Sequence, residues 1–400
     1  NNRASYNISV PSTQMVRRAR SDLNYSCINK NQETAVGSIP SSIEAEKLAA
    51  SIIFLDFGII DSITEKARSY PVDNTINLSK GKSNYYKGKV AFDEKRYKMA
   101  FATFKPLAEK GLAEAQNYLG LMYQQGKGIA KNYEKAMQWY RLAAKQKYAD
   151  AQFNLGVMYQ FGQGVKQDFE QSAKWYKLSA DQKFAAAQNY LGFLYQHGKG
   201  LPQNIGEAIN LYKLAAAQDY TLAQYNLGVI YENGYGVSRN YNKALKFYTS
   251  AAESGFAPAQ NEMGLMYLIG AGPAQNMQKA ARWFSLAAHQ GYEMAQSNLG
   301  YMYHFGYGVP LDYKQSVKWY RLAAETGNGI AQYHLASMYM NGQGVVSDRS
   351  RAYIWSNLAA NNGNKNGRML RDYIAKRMPR VELEKLKIRA KSCINKKYKK

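Results

Sequence analysis

Hydrophobic and polar positions recur with a fixed spacing of 36 residues through most of the chain. The segment AQNYLGLMYQQGKG (115–128) returns as AQFNLGVMYQFGQG (151–164), and five further copies follow. Within the first copy, an apolar or small face is formed by Ala115, Leu119, Gly120 and Tyr123, whose offsets fit one side of an α-helix. The pattern therefore predicts a helix at the start of each copy, which ends at the Gly-x-Gly that follows.

A second helical pattern follows each Gly-x-Gly. In the first copy it reads YEKAMQWYRLAAKQ (133–146), with Ala136, Tyr140 and Ala144 along one stripe. All five tryptophans occupy one position of this pattern, at Trp139, Trp175, Trp283, Trp319 and Trp355. A single helix pair cannot bury its apolar face alone, so the repetition predicts stacked pairs that share a continuous core.

The motif A-Q-x-x-L-G-x-x-Y-x-x-G-x-G-V, followed by A-x-x-W-Y-x-x-A-A, resembles the Sel1-like repeat, a relative of the tetratricopeptide repeat. The resemblance covers residues 113–364. It implies an all-α fold, namely a right-handed α-solenoid superhelix of antiparallel helix pairs, with the first helix of each pair on the concave side. It also implies a bacterial protein that mediates protein–protein interactions at the envelope or in a host, including roles in virulence.

Five regions are expected along the chain. These are an irregular or disordered segment (1–40), an N-terminal helical region (41–84), a short tetratricopeptide-like helix pair (85–112), seven 36-residue repeats (113–364), and a C-terminal capping helix with a basic tail (365–400). In the second region, Ser41 and Glu44 form a candidate capping box before the apolar run 48–60, which is too short to span a bilayer. The cap is expected to end before residue 385, which would make residues 385–400 dispensable for stability.

The positive charge is concentrated at the C-terminus. The net charge is +24, and residues 365–400 contribute +11 of it, from 14 Lys or Arg against 3 Asp or Glu. Such a tail either keeps the protein solvated or binds anionic lipid or nucleic acid weakly in a salt-dependent manner. The repeats are nearly balanced in charge, so the sequence predicts no extended basic stripe along them.

The two cysteines, Cys27 and Cys393, both lie in the pentapeptide SCINK. Two cysteines are too few for a disulfide scaffold or a zinc site. The match is either a coincidence or the mark of a bond that joins the two ends in an oxidising compartment. Because the sequence starts at Asn1, a cleaved signal peptide is compatible with it, and a secreted, periplasmic or host-translocated location is favoured over a cytoplasmic one.

No catalytic constellation is apparent in the sequence. The four histidines lack the spacing of metal ligands on one helix turn, and the Gly-x-Gly turns end helices instead of joining a strand to a helix start. The sequence therefore predicts a protein that is not an enzyme and that uses no cofactor, metal or small-molecule substrate.

Candidate partner-binding residues lie on the helix side opposite the Ala115 face, in three rows that start at positions 117, 121 and 124. The first row contains Asn117, Phe153, Asn189, Tyr225, Asn261 and Tyr333, and the third contains Gln124, Gln160, Gln196, Glu232 and His304. Aromatic and amide side chains together are typical of recognition surfaces. The second row, which starts at Leu121, is expected to pack between adjacent repeats.

The family resemblance adds a role for the first row, because an asparagine at this position is often a ligand for a peptide backbone. Asn117, Asn189 and Asn261 match it, whereas Phe153, Tyr225 and Tyr333 depart from it and suggest side-chain pockets. The leading interpretation is a scaffold that holds a peptide or partner protein in the concave groove. The alternatives are an accessory regulator of a cell-wall or quality-control enzyme, and a protein that binds anionic membrane or nucleic acid through its tail.

Overall fold

The computed structural model describes three strands before residue 40 and the continuous stretch 72–397, with side-chain environments for 83–388 and Ala390. The expected helix over 48–60 and its Ser41–Glu44 capping box lie outside the described residues. The side chains of Cys27 and Cys393 do too, so their pairing remains a prediction.

The N-terminal segment contains a small sheet, which differs from the irregular segment expected there. The strands are β1 (Ser5–Ser9), β2 (Leu23–Ile28) and β3 (Thr34–Ile39), in the order β1-β2-β3. β1 and β2 run parallel, and β2 and β3 run antiparallel with Tyr25 opposite Gly37. The sequence LNYSCI of β2 alternates apolar and polar residues with a period of two, which a search for helical spacing passes over.

The rest of the described chain is helical. α1 (Val72–Asp93) and α2 (Tyr97–Glu109) precede seven helix pairs, whose members we call helix A and helix B of each repeat. The pairs are α3 (Ala113–Gln125) and α4 (Tyr133–Lys145), α5 (Ala149–Phe161) and α6 (Phe169–Ala180), α7 (Ala185–His197) and α8 (Ile205–Ala216), α9 (Thr221–Asn233) and α10 (Tyr241–Glu253), α11 (Ala257–Ile269) and α12 (Met277–His289), α13 (Glu293–Phe305) and α14 (Tyr313–Thr326), α15 (Gly329–Asn341) and α16 (Arg349–Asn361).

Two helices, α17 (Lys365–Ala375) and α18 (Arg380–Lys397), follow the repeats. The chain divides into two units, Asn1–Gln167 and Asp168–Lys400, each of which contains stacked helix pairs. The predicted all-α solenoid class of paired helices is confirmed. Among the described helices, none is both long enough and apolar enough to cross a membrane.

Each helix A ends as the sequence predicts, at the first glycine of the Gly-x-Gly. Gly126 has φ 69° and accepts the left-handed conformation that closes the helix. The second glycine has a different role. A Cβ on Gly128 would lie 2.6 Å from the backbone carbonyl carbon of Tyr97, the first residue of α2. The loop therefore needs glycine at this position for close contact between successive helix pairs.

Each helix B starts at an asparagine or aspartate that the sequence analysis did not single out. The side chain accepts a hydrogen bond from the backbone N–H three residues later, which satisfies one of the free donors at the helix start. The capping residues recur every 36 positions, at Asn132, Asp168, Asn204, Asn240, Asn276, Asp312 and Asp348.

The glutamine of the Ala-Gln pair links successive repeats. It is buried, and its Nε2 donates to a carbonyl near the end of the preceding helix B, as in Gln260 to Ala252 (3.1 Å) and Gln332 to Ala324 (3.0 Å). In the same repeats, its Oε1 accepts from an amide 30 residues later, Gln290 in one case and Asn362 in the other. The glutamine thereby satisfies a backbone carbonyl at the end of helix B that has no partner within its own helix. This explains why a polar residue recurs in the core.

The C-terminal cap extends further than the sequence indicated. Ile374 of α17 and Leu386 of α18 join the core cluster of repeat 7, with exposed fractions of 2% and 6%. Ala390 is fully buried. The expectation that residues from 385 onwards are dispensable for stability therefore does not fit the structure. Helix α18 is highly charged on its solvated side, but it also has an apolar stripe that packs on repeat 7.

Candidate binding surface

The first-row asparagines face a neighbouring repeat instead of solvent. Asn117, Asn189 and Asn261 are 7%, 2% and 2% exposed. The Oδ1 of each accepts a hydrogen bond of 2.9 Å from an asparagine 37 residues later, at Asn154, Asn226 and Asn298 respectively. Their burial differs from the exposed row that the helical spacing suggested, because adjacent A helices pack against each other at this position. These amides hold repeats together.

The first-row aromatic residues also fill space between helices. The half-buried ring of Tyr225 lies 5.7 Å from that of Tyr248 and 5.4 Å from that of Phe256. Tyr333 packs at 5.0 Å against His334, and Phe153 is only partly exposed. A role of Phe153 and Tyr225 as peptide anchors remains a prediction, but their solvent access is smaller than expected.

The third row satisfies buried hydroxyl groups of helix B. The Tyr140 hydroxyl donates to Gln124 at 2.7 Å, that of Tyr212 to Gln196 at 2.8 Å, and that of Tyr248 to Glu232 at 2.6 Å. In repeat 5 the tyrosine is replaced by Phe284, and the third-row residue is Leu268. The polar third-row side chain is thus absent where helix B has no hydroxyl group to bond. The polar character of the third row is therefore explained by these internal hydrogen bonds, and no bound ligand is needed to account for it. Gln160, at 8% exposure, is likewise buried.

Repeat 6 departs from this arrangement. His304 occupies the third-row position, but its Nδ1 and the hydroxyl of the buried Tyr320 have no hydrogen-bond partner in the described structure. His334 from repeat 7 stacks on Tyr320 with ring centroids 5.0 Å apart and an interplanar angle of 11°. Burial, and to a lesser extent the nearby His304, lowers the pKa of His334 to about 4. Burial also lowers the pKa of His304.

We expect the stability of the array to fall with acidification through the titration of His334. The pKa of His334 is about 4 in the folded protein and 6.5 in the unfolded chain. Between these pH values the unfolded chain binds more protons than the folded protein, so the free energy of unfolding drops as pH falls through 6.5 towards 4. His334→Phe retains the stacking on Tyr320 and removes the titration. Denaturant unfolding at about pH 7 and about pH 5 should show the wild type losing on the order of 1 kcal/mol more than the variant. Equal losses would contradict this assignment.

One set of exposed apolar side chains lies at the ends of A helices and in the loops after them, and a second set recurs on the B helices, for example at Leu214 and Leu286. Ile269 is 67%, Phe305 43% and Tyr307 40% exposed. The ring of the partly buried Tyr301 lies 4.6 Å from that of Phe305 and 5.9 Å from that of Tyr307, while Phe305 and Tyr307 stack at 5.7 Å. We call these four residues the A-face patch. Tyr301 belongs to the second row, whereas the three exposed residues lie outside the three rows, at helix and loop positions that vary between repeats and show no periodic signal.

Two partly buried glutamates lie on the A helices of repeats 4 and 5. Glu232 accepts the hydroxyl hydrogen bond of Tyr248, and Glu262 accepts a hydrogen bond of 3.3 Å from the Asn261 amide. Burial, and secondly the charge of Glu232, raises the pKa of Glu262, although the bond from Asn261 lowers it. Burial raises the pKa of Tyr225 to about 12, with the charge of Glu262 as the next cause. The described residues contain no group of three His, Cys, Asp or Glu side chains that could hold a metal ion.

The chain resembles known repeat proteins in both sequence and structure. The family model described as the Sel1 repeat matches seven consecutive segments, 113–148, 149–184, 185–220, 221–256, 257–292, 293–328 and 329–364. No curated protein sequence matches the chain.

Three solved structures illustrate the similarity. A Sel1 repeat protein from Oxalobacter formigenes is 32% identical, with a TM-score of 0.55, over 61% of this chain and 96% of its own. The protein c5321, a protective antigen with an SLR fold from uropathogenic Escherichia coli, is 26% identical, with a TM-score of 0.41, over 81% of this chain and 86% of its own. Yeast Tom70 is 10% identical, with a TM-score of 0.41, over 85% of this chain and 72% of its own.

Sel1 repeat proteins are generally non-enzymatic scaffolds for protein–protein interaction. Since the repeat model covers well over half of the residues, the chain belongs to the Sel1 repeat family.

Proposed function

We propose that this protein is a non-enzymatic interaction scaffold that binds an extended peptide segment of a partner protein on the A helices of repeats 4 to 7. A partner at the bacterial envelope or in a host fits the family resemblance. The observation that carries the proposal is the A-face patch, where Ile269, Phe305 and Tyr307 expose 67%, 43% and 40% of their surface. Rigid aromatic side chains provide much contact area and lose little conformational entropy on binding.

The surrounding contacts favour a preformed surface. Tyr301 is held against the core cluster of repeat 7 and supports both Phe305 and Tyr307. The exposed rings therefore rest on a packed base, and a ligand that covers them would not have to order them. The buried asparagines keep successive A helices in register, and the third row bonds each A helix to helix B of the same repeat.

The test uses a random peptide library panned on the purified chain. We expect that selected peptides bind the wild type and that Phe305→Ala with Tyr307→Ala weakens their binding about tenfold or more, as for truncated aromatic anchors. The melting temperature should stay near that of the wild type because both side chains are largely exposed. Fluorescence anisotropy gives the affinities, and circular dichroism gives the melts.

Leu214→Ala is the matched control, because Leu214 is an apolar side chain with 54% exposure on a B helix of the same unit. It should leave peptide binding unchanged. If the double variant binds the selected peptides as tightly as the wild type, the A-face patch is not the binding surface.

A further inference from the structure

Charges are segregated between the two kinds of helix in the unit that contains repeats 3 to 7. The A helices α7, α9, α11, α13 and α15 contain no lysine or arginine, and they carry Glu232, Glu262 and Glu293. The B helices α6, α8, α10, α12, α14 and α16 contain 12 Lys or Arg against 4 Asp or Glu. The A helices of this unit are therefore acidic, although its B helices and the whole chain, with a net charge of +24, are basic.

The absence of cations continues into the loops beside the A-face patch. No lysine or arginine occurs in 257–276, which covers α11 and the loop after it, or in 293–312, which covers α13 and the loop with Tyr307. In repeats 5 and 6, a ligand on this surface therefore meets no lysine or arginine on helix A or in the loop after it, whereas in repeat 4 Arg239 lies in the loop that follows Glu232. Complementarity of this kind steers association and excludes acidic partners.

Glu232 and Glu262 are the carboxylates most able to select a cation. Neither takes part in an ion pair among the described residues, in which every recorded pair involves other acids. Both are partly buried, and the charge of Glu232 contributes to raising the pKa of Glu262 after burial. Partly desolvated carboxylates without a counter-ion are unfavourable, and an arriving guanidinium would relieve this by charge-assisted hydrogen bonds.

We propose that the scaffold's ligand is a cationic peptide segment, with arginine or lysine opposite Glu232 and Glu262 and an apolar side chain on the A-face patch. This inference rests on the proposed function and adds the class of partner. The partly exposed ring of Tyr225, which packs at 5.7 Å on the buried ring of Tyr248, offers an aromatic face to the same cation. Adjacent repeats are about 10 Å apart, so an extended ligand needs about three to six residues between the cationic and the apolar side chain.

The experiment uses fluorescein-labelled synthetic peptides of about ten residues, which are long enough to cross the two sites. One peptide carries two arginines and, about four residues further on, two leucines. A second replaces both arginines by citrulline, which keeps the shape and removes the charge, and a third replaces them by glutamate. We expect the arginine peptide to bind about tenfold or more tightly than the citrulline peptide, with a difference that shrinks as salt rises. The glutamate peptide should show the weakest binding.

Variants of the protein assign the charge effect to a position. Glu262→Gln and Glu232→Gln preserve side-chain shape and hydrogen-bonding oxygen, and each should weaken the arginine peptide several-fold while leaving the citrulline peptide unchanged. Glu253→Gln, on the B helix α10, is the matched control and should leave both affinities unchanged. A loss that occurs only with the arginine peptide and only in the Glu232 and Glu262 variants reports on the pairing of arginine with these carboxylates, because a general effect on folding would weaken both peptides.

The outcomes separate this inference from the proposed function. Equal affinities for the arginine and citrulline peptides, both reduced by Phe305→Ala with Tyr307→Ala, would overturn the cationic ligand and leave the peptide scaffold standing. Arginine-dependent binding that Phe305→Ala with Tyr307→Ala does not affect would instead remove the A-face patch from the ligand site. Self-association of the chain that Glu262→Gln abolishes, measured by sedimentation, would assign the surface to a second copy and overturn the inference.

Discussion

Replacing Gly228 by leucine is expected to destabilise the central repeats by about 3 kcal/mol, an effect at the upper end for a single overpacked position. Gly228 lies in α9 with the ring of Tyr248 directly against it, so that even a Cβ would overlap the Cε1 and Cδ1 atoms of that ring. Gly264 has the same relation to Phe284, at 2.5 Å. The ring cannot withdraw, because Tyr248 is fully buried and its hydroxyl is bonded to Glu232.

Gly206→Leu is the matched control for Gly228→Leu. Gly206 also lies in a helix of the same unit, but a Cβ there meets only the Asn204 side chain at 3.4 Å. This variant should unfold at a denaturant concentration near that of the wild type. Circular dichroism during denaturant unfolding measures both variants. A wild-type transition for Gly228→Leu would refute the contact between glycine and ring.

Repeat 7 suggests a compensating change for the same contact. Ala336 replaces the glycine there, and Ser356 replaces the tyrosine. Gly228→Ala should therefore cost less free energy of unfolding in a Tyr248→Ser background than in the wild type. The two substitutions are in contact, so their effects should be clearly non-additive. Additive losses would mean that the ring and the glycine are not the coupled pair.

Leu386→Asp is expected to destabilise the C-terminal cap by about 3–5 kcal/mol, because it removes a buried leucine and places a carboxylate in an apolar site. Leu386 is 6% exposed and packs in the cluster that also contains Ile374 and Tyr353. The cap covers the last apolar face of the array, so its loss should expose the core of repeat 7.

Ile388→Asp, two residues further along α18, is the matched control. Ile388 is 72% exposed, so this substitution adds the same charge to the same helix without emptying a buried site. Hydrogen exchange of repeat 7 amides should accelerate strongly for Leu386→Asp and little for Ile388→Asp. Equal exchange in the two variants would show that the part of α18 from residue 385 onwards adds no packing, as expected from the sequence.

The repeat spacing by itself predicted most of the array. Helix pairs, their glycine ends and the close contact at Gly120 follow from the sequence, because each copy meets the same neighbour and therefore conserves the same small, apolar and aromatic positions. The N-cap at Asn132 and the linking glutamine Gln116 were equally visible as 36-residue repeats. They were overlooked because polar positions were first considered as surface.

The structure alone decided which polar positions are free to bind. On a helical wheel, Asn117 and Gln124 lie opposite Ala115, which predicts solvent exposure for an isolated amphipathic helix. A helix A in a solenoid packs against its own helix B, the preceding helix B and neighbouring A helices, so only a narrow arc stays open. Asn117 is thus bonded to Asn154 and Gln124 to Tyr140.

The candidate surface lies in that remaining arc and at the helix ends. Phe305 and Tyr307 are exposed because the chain leaves the packed stack there, and no periodicity marks them. The burial of Glu262, and the positions of Leu386 and Ile388 on opposite sides of one charged helix, likewise depend on neighbours distant in sequence. Local spacing determined the elements of this protein, whereas contacts between repeats decided which side chains remain available to a partner.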